Sequence, residues 1–338
     1  MATTSISITP QFGNNTVTII NCGTSSPKLG GTIDISAFPN LQDFRCINND
    51  VTAISGYAQN SNLRIIQFSR NKVTGSLPSL SALTPLQSFF CQQNLLTGSI
   101  PSLSGLTTLL DFRCEANSLS GSIPPLPNSL QFFSCHLNYL TGSIPLLPQN
   151  IRIFLCQSQQ GNTKLTGSLP SFLGLNFLQD FQAHNNQLTG PIPSLSGLSN
   201  LQIFYCFSNQ LTGSIPSLSG LNNLRDFRCH INQLTGSIPS LSELSNLEIF
   251  ICHTNQLTGF DGGSVSNTLG TFRAENNQLT SAAVNAILAA FVAANRTAGT
   301  RTLNLGGTTN SRPTGQGVTD VQTLVDRGWT VFTGTNLL

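Results

Sequence analysis

One unit repeats down most of this chain. LQIFYCFSNQLTGSIPSLSGLNN (201–223) is followed by LRDFRCHINQLTGSIPSLSELSN (224–246) and by LEIFICHTNQLTG from 247, a period of 23 residues. The first position of the unit falls at Val17, Leu41, Leu63, Leu86, Leu109, Leu130, Ile151, Leu178, Leu201, Leu224, Leu247 and Leu269, which makes twelve copies spaced by 21 to 27 residues. A unit this short cannot bury its own apolar face, and only stacking on its neighbours gives it a core, so the array must fold as a solenoid. That settles what a length of 338 residues leaves open, two globular domains or one extended array.

Within the unit, apolar residues at the first, fourth and sixth positions alternate with variable ones, which predicts a short strand with one buried face. The sixth position is usually cysteine. All nine cysteines (Cys22, Cys46, Cys91, Cys114, Cys135, Cys156, Cys206, Cys229 and Cys252) fall there, one per unit, and read as buried free thiols rather than a zinc ribbon or a disulfide framework. Bridging two of them on neighbouring strands, about 4.8 Å apart, would strain their parallel side chains. Asparagine recurs at the ninth position: Asn49, Asn71, Asn94, Asn117, Asn138, Asn186, Asn209, Asn232, Asn255 and Asn277. A buried amide there satisfies backbone groups as the chain leaves the strand, and stacked copies form an asparagine ladder. The L-T-G-S-I-P that follows supplies a glycine for an unusual dihedral and a proline that cannot donate. The convex side is therefore expected to be irregular or 3₁₀.

Two departures mark the middle of the array. The insertion QSQQGNTK (157–164) puts Gln159 where the ladder asparagine belongs, and PPLPNS and PLLPQN replace the usual S-L-S segment before Leu130 and Ile151. Past the last repeat, SAAVNAILAAFVAAN (281–295) reads as a Ser-capped amphipathic helix, followed by RTLNL, a second short helix near 318–327, and WTVFTG. The expected division is a β-prone N-terminal cap or docking segment over 1–16, repeats over 17–280, and a C-terminal helix–strand–helix–strand cap over 281–338.

Over about 17–280 the chain resembles the plant-type leucine-rich repeat, L-x-x-L-x-L-x-x-N-x-L-x-G-x-I-P, and twelve recurrences make the match specific. The resemblance implies a leucine-rich-repeat solenoid with short parallel β-strands on its concave face and a small α/β C-terminal cap. A Phe/Cys pair stands in place of the usual leucines, and the unit is about one residue shorter. The segment LNLGGTTNSRPTGQGVTDVQTLVDRGWTV resembles a short cap found in phage and other viral structural proteins and in bacterial repeat proteins.

Candidate contacts lie on the strands' outward face. The third and fifth positions read Asp43/Arg45, Asp111/Arg113 and Asp226/Arg228 in some units and Ile153/Leu155, Ile203/Tyr205 and Ile249/Ile251 in others, with Phe90, Phe132 and Phe207 alongside. A cluster of exposed apolar and aromatic groups on one sheet usually marks a contact site; incidental exposure, or cover by the cap, is the bland alternative. All four histidines, His136, His184, His230 and His253, share the seventh position. Plain solvated ladder residues, a ligand contact and a metal site are the readings open for them. A metal would need a third ligand beside His230 and His253, for which Glu275 is the one candidate, and no metal is expected.

Charged residues make up 8% of the chain and the formal net charge is +2, with no basic run to neutralise phosphates, so neither nucleic acid nor an anionic membrane is expected as a partner. No stretch reaches the roughly 18 apolar residues of a membrane span. MATTSISITPQFGNNTVTIIN holds no basic region followed by an apolar one, so Sec export is not expected, and the sequons at Asn14 and Asn295 read as chance. No nucleophile elbow, zinc-protease motif or phosphate loop is present, so neither an enzyme nor a cofactor is expected. The expected function is a virion structural or adhesion protein (tail, fibre or capsid decoration), with a protein or glycan ligand and neighbouring virion subunits as partners. An extracellular or cell-surface recognition module, reached by a non-Sec route, is the alternative. Ice binding, suggested by the column Thr52, Thr74, Thr97, Thr141, Thr189, Thr212, Thr235 and Thr258, is the third.

Overall fold

A computed structural model describes residues 17–23, 28–296 and 299–334; the expected N-terminal segment 1–16 lies outside them. The chain divides into two compact units, 1–165 and 166–338. Each is a stretch of leucine-rich-repeat solenoid.

In the first unit the strands Ile19–Asn21, Asp43–Arg45, Ile65–Gln67, Ser88–Phe90, Asp111–Arg113, Phe132–Ser134 and Ile153–Leu155 pair in sequence order, parallel and without a register shift. In the second, Asp180–Gln182, Ile203–Tyr205, Asp226–Arg228, Ile249–Ile251, Thr271–Arg273, Thr302–Asn304 and Thr330–Phe332 do the same. The strands are the third to fifth positions of the repeat. Perfect register puts the fourth-position phenylalanines in a column, so their rings stack. Phe89, Phe112, Phe133 and Phe154 are fully buried, with centroids 5.3 to 5.9 Å apart, and Phe181, Phe204, Phe227, Phe250 and Phe272 lie 5.4 to 5.5 Å apart. Each such ring contributes about 1.5–3 kcal/mol by burial. The sixth-position cysteines are free thiols and buried, except Cys22 on the first strand's end, which is half-exposed.

The ninth-position asparagines do what the pattern predicts. Asn117 accepts from Leu96 N at 3.0 Å and donates to the carbonyls of Cys91 and Cys114 at 3.1 and 3.0 Å, so one amide ties two rungs together. Gln159 takes the same role in the inserted unit: its Oε1 accepts from Leu140 N at 3.1 Å and its Nε2 donates to Cys135 and Cys156. The ladder also runs one rung further than the sequence pattern, because Asn310 of the cap accepts from Leu279 N and donates to Ala274 O.

The turn before each asparagine holds a feature the sequence does not advertise. The eighth residue sits in the left-handed region in every described repeat from Asn48 to Asn276, at φ 53–56°, whatever its type, Ile231 and Thr254 included. That conformation is costly for a β-branched residue.

The convex side differs from the expectation. Among the described residues it contains no 3₁₀ helix; instead the L-T-G-S segments pair into short parallel ribbons, such as Thr74–Ser76 with Leu95–Thr97 and Thr189–Pro191 with Gln210–Thr212. Neighbouring rungs arrive there at strand separation, and a positive-φ glycine such as Gly75 or Gly190 lets the chain bend without leaving the ladder. In the cap, helix α1 spans Ser281–Ala294 and α2 spans Gln316–Asp326. The N-cap of α1 is Thr280, whose hydroxyl accepts from Ala283 N, and not Ser281, which is the helix's first residue. Phe291 of α1 meets the exposed end of the phenylalanine stack edge-on at Phe272, and Trp329 packs edge-on against Phe291. The cap ends the stack by turning its rings.

Two substitutions test this account. Asn117→Ala orphans a buried N–H and two carbonyl contacts and should lower stability by about 2–4 kcal/mol in urea unfolding. Ile231→Asn, at a residue 45% exposed, should raise it by about 1 kcal/mol, since asparagine tolerates the left-handed turn.

Candidate functional site on the sheet face

Third-, fifth- and seventh-position side chains project from the sheet, and register sets each beside its counterpart about 4.8 Å away. This spacing corrects the expectation of an open apolar patch. Phe90, Phe132, Ile153, Leu155, Ile203, Tyr205, Phe207 and Ile249 are half-buried, and Ile251 is buried at 8% exposure, because neighbours in a column shield one another. Apart from Ile19 on the first strand, the large exposed apolar groups lie elsewhere, many at turns such as Leu137, Leu173 and Ile231.

In the first unit, Phe90 and Phe132 clamp a cation. The Arg113 guanidinium lies 3.9 Å from the Phe132 ring centroid and 4.7 Å from that of Phe90, while making a two-pronged pair with Asp111 at 2.9 and 2.7 Å. Beside them the Ser134 hydroxyl is 2.9 Å from His136 Nδ1. This is not a catalytic pair. Ser134 is 1% exposed, so no substrate reaches it. The nearby Glu115, pushed above the usual carboxylate range by burial, hydrogen-bonds the serine and does not orient the imidazole.

The second unit holds the denser cluster. Phe207 stacks between His184 and His230, at 4.2 and 4.3 Å, and His253 continues the row 4.5 Å beyond His230. Tyr205 donates from its hydroxyl to Asp226 Oδ2 at 2.6 Å, and Arg228 donates to both Asp226 oxygens at 2.8 and 2.7 Å while lying 4.8 Å from the Tyr205 ring centroid. Arg273 pairs with Glu275. The histidines are therefore ladder members packed among aromatic rings rather than solvated side chains. Parallel register keeps the nitrogens of stacked imidazoles side by side instead of converging them on a point. Among the described residues no group of three or more His, Cys, Asp or Glu side chains is placed to hold an ion.

Burial dominates the titration of this face. It lowers His136, His253 and, most of all, His230, which is brought down to about 3 with smaller contributions from His253, Arg228, Arg273 and His184. It raises Asp180 to about 6, opposed by a hydrogen bond from Gln182 and reinforced by Asp226.

The threonine column is exposed apart from half-buried Thr141, but its members are not aligned with one another. Ribbon pairing sets Thr97 opposite Ser76 and Thr212 opposite Pro191, and single bridges set Thr189 opposite Ser168 and Thr235 opposite Ser214. A row of threonines legible in the sequence becomes a staggered band of mixed residues.

No protein-family model matches the sequence and no curated protein does. Solved structures match in fold. A TDR receptor is 24% identical with a TM-score of 0.71, covering 94% of this chain and 55% of its own, so this chain spans about half its length. An internalin from Listeria monocytogenes is 19% identical with a TM-score of 0.56, covering 89% of this chain and 83% of its own. A plant ice-binding protein is 24% identical with a TM-score of 0.53, covering 69% of this chain and 78% of its own. These likenesses carry the fold and not the activity. No helix among the described residues is long and apolar enough to cross a membrane.

The sign of the pH dependence follows from His230. Its free value is near 6.5 and its folded value about 3, so between those limits the unfolded chain binds a proton that the folded chain does not, and stability falls as pH falls. Asp180 acts oppositely, gaining its proton near 6 when folded and near 3.9 when unfolded. Thermal melts from pH 7 to 4 should show a shallower acid-side loss in His230→Gln and a steeper one in Asp180→Asn than in the parent chain.

Proposed function

We propose that this protein is a non-enzymatic binding protein that meets its partner through the sheet face of the repeats between Leu178 and Gln278. The observation that carries the reading is the four-ring row His184–Phe207–His230–His253 flanked by Arg228 and Arg273, a continuous half-buried strip of aromatic edges and charged groups. Mixed aromatic and arginine surfaces are what protein and glycan interfaces use. Half-buried aromatics held by their neighbours also cost little entropy to bind.

We place the protein on the surface of a virion, as a tail, fibre or capsid-decorating component that contacts a host receptor or another virion subunit. The support is the R-G-W-T-V cap resemblance together with the scarcity of charge. Ice binding is not favoured, because the threonine column is staggered and interrupted at Pro191.

Proteomics of particles released by the producing cells is the direct test. Recovery of the chain in fixed stoichiometry with capsid or tail proteins supports the virion assignment, whereas recovery only as free or cell-surface protein replaces it with the extracellular recognition module. In either setting Phe207→Gln should lower attachment about tenfold with a melting temperature within a few degrees of the parent. Unchanged attachment removes the sheet face from the proposal.

A further inference from the structure

We propose that the sheet face from Ile203–Tyr205 to Thr271–Arg273 binds an acidic glycan, a chain of carboxylated or sulfated sugars laid along the ladder axis. The inference rests on the binding-face reading above and names the chemistry of its ligand.

The first observation is how charge is layered. In both ion pairs of this face the carboxylate is the buried partner: side-chain exposure is 30% for Arg228 against 13% for Asp226, and 42% for Arg273 against 9% for Glu275. A near-neutral pair thus turns its cation outwards. A guanidinium has five N–H donors, and Arg228 spends one from Nε and one from Nη2 on Asp226, which leaves donors for an external anion.

The histidine row adds donors of the same sense. Phe207 and His230 stack nearly parallel and His253 tilts by 33° against His230, so ring edges turn to the solvent, and aromatic edges carry the positive end of the quadrupole. His230 Nδ1 is buried with no hydrogen-bond partner. A neutral imidazole keeps its single proton where it is solvated, which is Nε2 at the outer edge of the ring. His253 Nδ1 is 3.0 Å from Thr254 Oγ1, a hydrogen bond that either atom can donate. From Arg228 to Arg273 the outer layer is therefore built of guanidinium N–H donors and ring edges.

Spacing selects a sugar chain among anions. Outward arginine and histidine side chains recur on each of the three strands from Asp226–Arg228 to Thr271–Arg273, about every 4.8 Å, whereas same-face side chains of an extended acidic peptide recur about every 6.6 Å. A pyranose ring spans about one rung, so each sugar meets one strand.

The test is binding of the full chain to immobilised polygalacturonate and dextran sulfate, with neutral dextran and poly-L-glutamate alongside, across a salt series. Binding to either acidic glycan that weakens with salt, with none to dextran, is the expected result, and the two glycans separate carboxylate from sulfate preference. The paired variants Asp226→Asn/Arg228→Gln and Glu275→Gln/Arg273→Gln leave no buried charge alone and should each weaken binding about tenfold or more. His230→Gln/His253→Gln, which touches neither ion pair, should weaken it as well. Equal affinity in all three variants, failure to bind both acidic glycans, or tighter binding to poly-L-glutamate overturns the proposal. Attachment that depends on Phe207 while both acidic glycans are ignored overturns it too, and leaves the binding-face reading standing.

Discussion

In-register parallel pairing is the constraint on which everything else in this protein depends. Once each three-residue strand pairs with the next without a shift, every position of the repeat becomes a column at strand spacing, and a column tolerates only residues that are content beside copies of themselves. Phenylalanine satisfies this by stacking, cysteine by being small and apolar, and asparagine by having both a donor and an acceptor to share between rungs. Charged residues satisfy it poorly, since like charges in one column repel. On the sheet they appear as Asp/Arg pairs within a strand, and in the second unit Asp226/Arg228 lies between strands with Ile203 and Ile249 at the third position.

The same rule makes the surface. Outward columns are as regular as inward ones, so a row such as His184–Phe207–His230–His253 is packed by its own members before any partner arrives. Its groups are preorganised, partly desolvated and edge-on to solvent, which suits recognition along a line better than capture in a pocket. The serine–histidine contact at Ser134 and His136 presents no nucleophile to solvent, because Ser134 is 1% exposed.

How much of this was legible in the sequence differs between core and surface, for physical reasons. The period, the strand positions, the buried thiols and the asparagine ladder could all be read, because each is enforced once per unit and so written many times. Gln159 could be placed as a ladder substitute for the same reason. Asn310 could not, since the cap carries no period to reveal it. The left-handed eighth residue was hidden because geometry there is imposed by the turn and accepted by residues as different as Ala116 and Ile231. The paired ribbons of the convex side, the threonine stagger and the shielding of the apolar face escaped because they depend on which rungs face which. The candidate residues were found by type; their partnerships, Arg113 between two phenylalanines or Tyr205 on Asp226, needed the register.

The central claim is that the second unit's sheet face, and not its turns, makes the contact. Hydroxyl-radical footprinting of the free chain, and of the chain attached to the particle or cell on which it is found, tests it most directly. The account predicts that oxidation of Tyr205, Phe207, His230 and His253 falls on attachment while Leu173, 87% exposed at a turn, is unaffected. Protection of Leu173 with no change along the Phe207 row would contradict it.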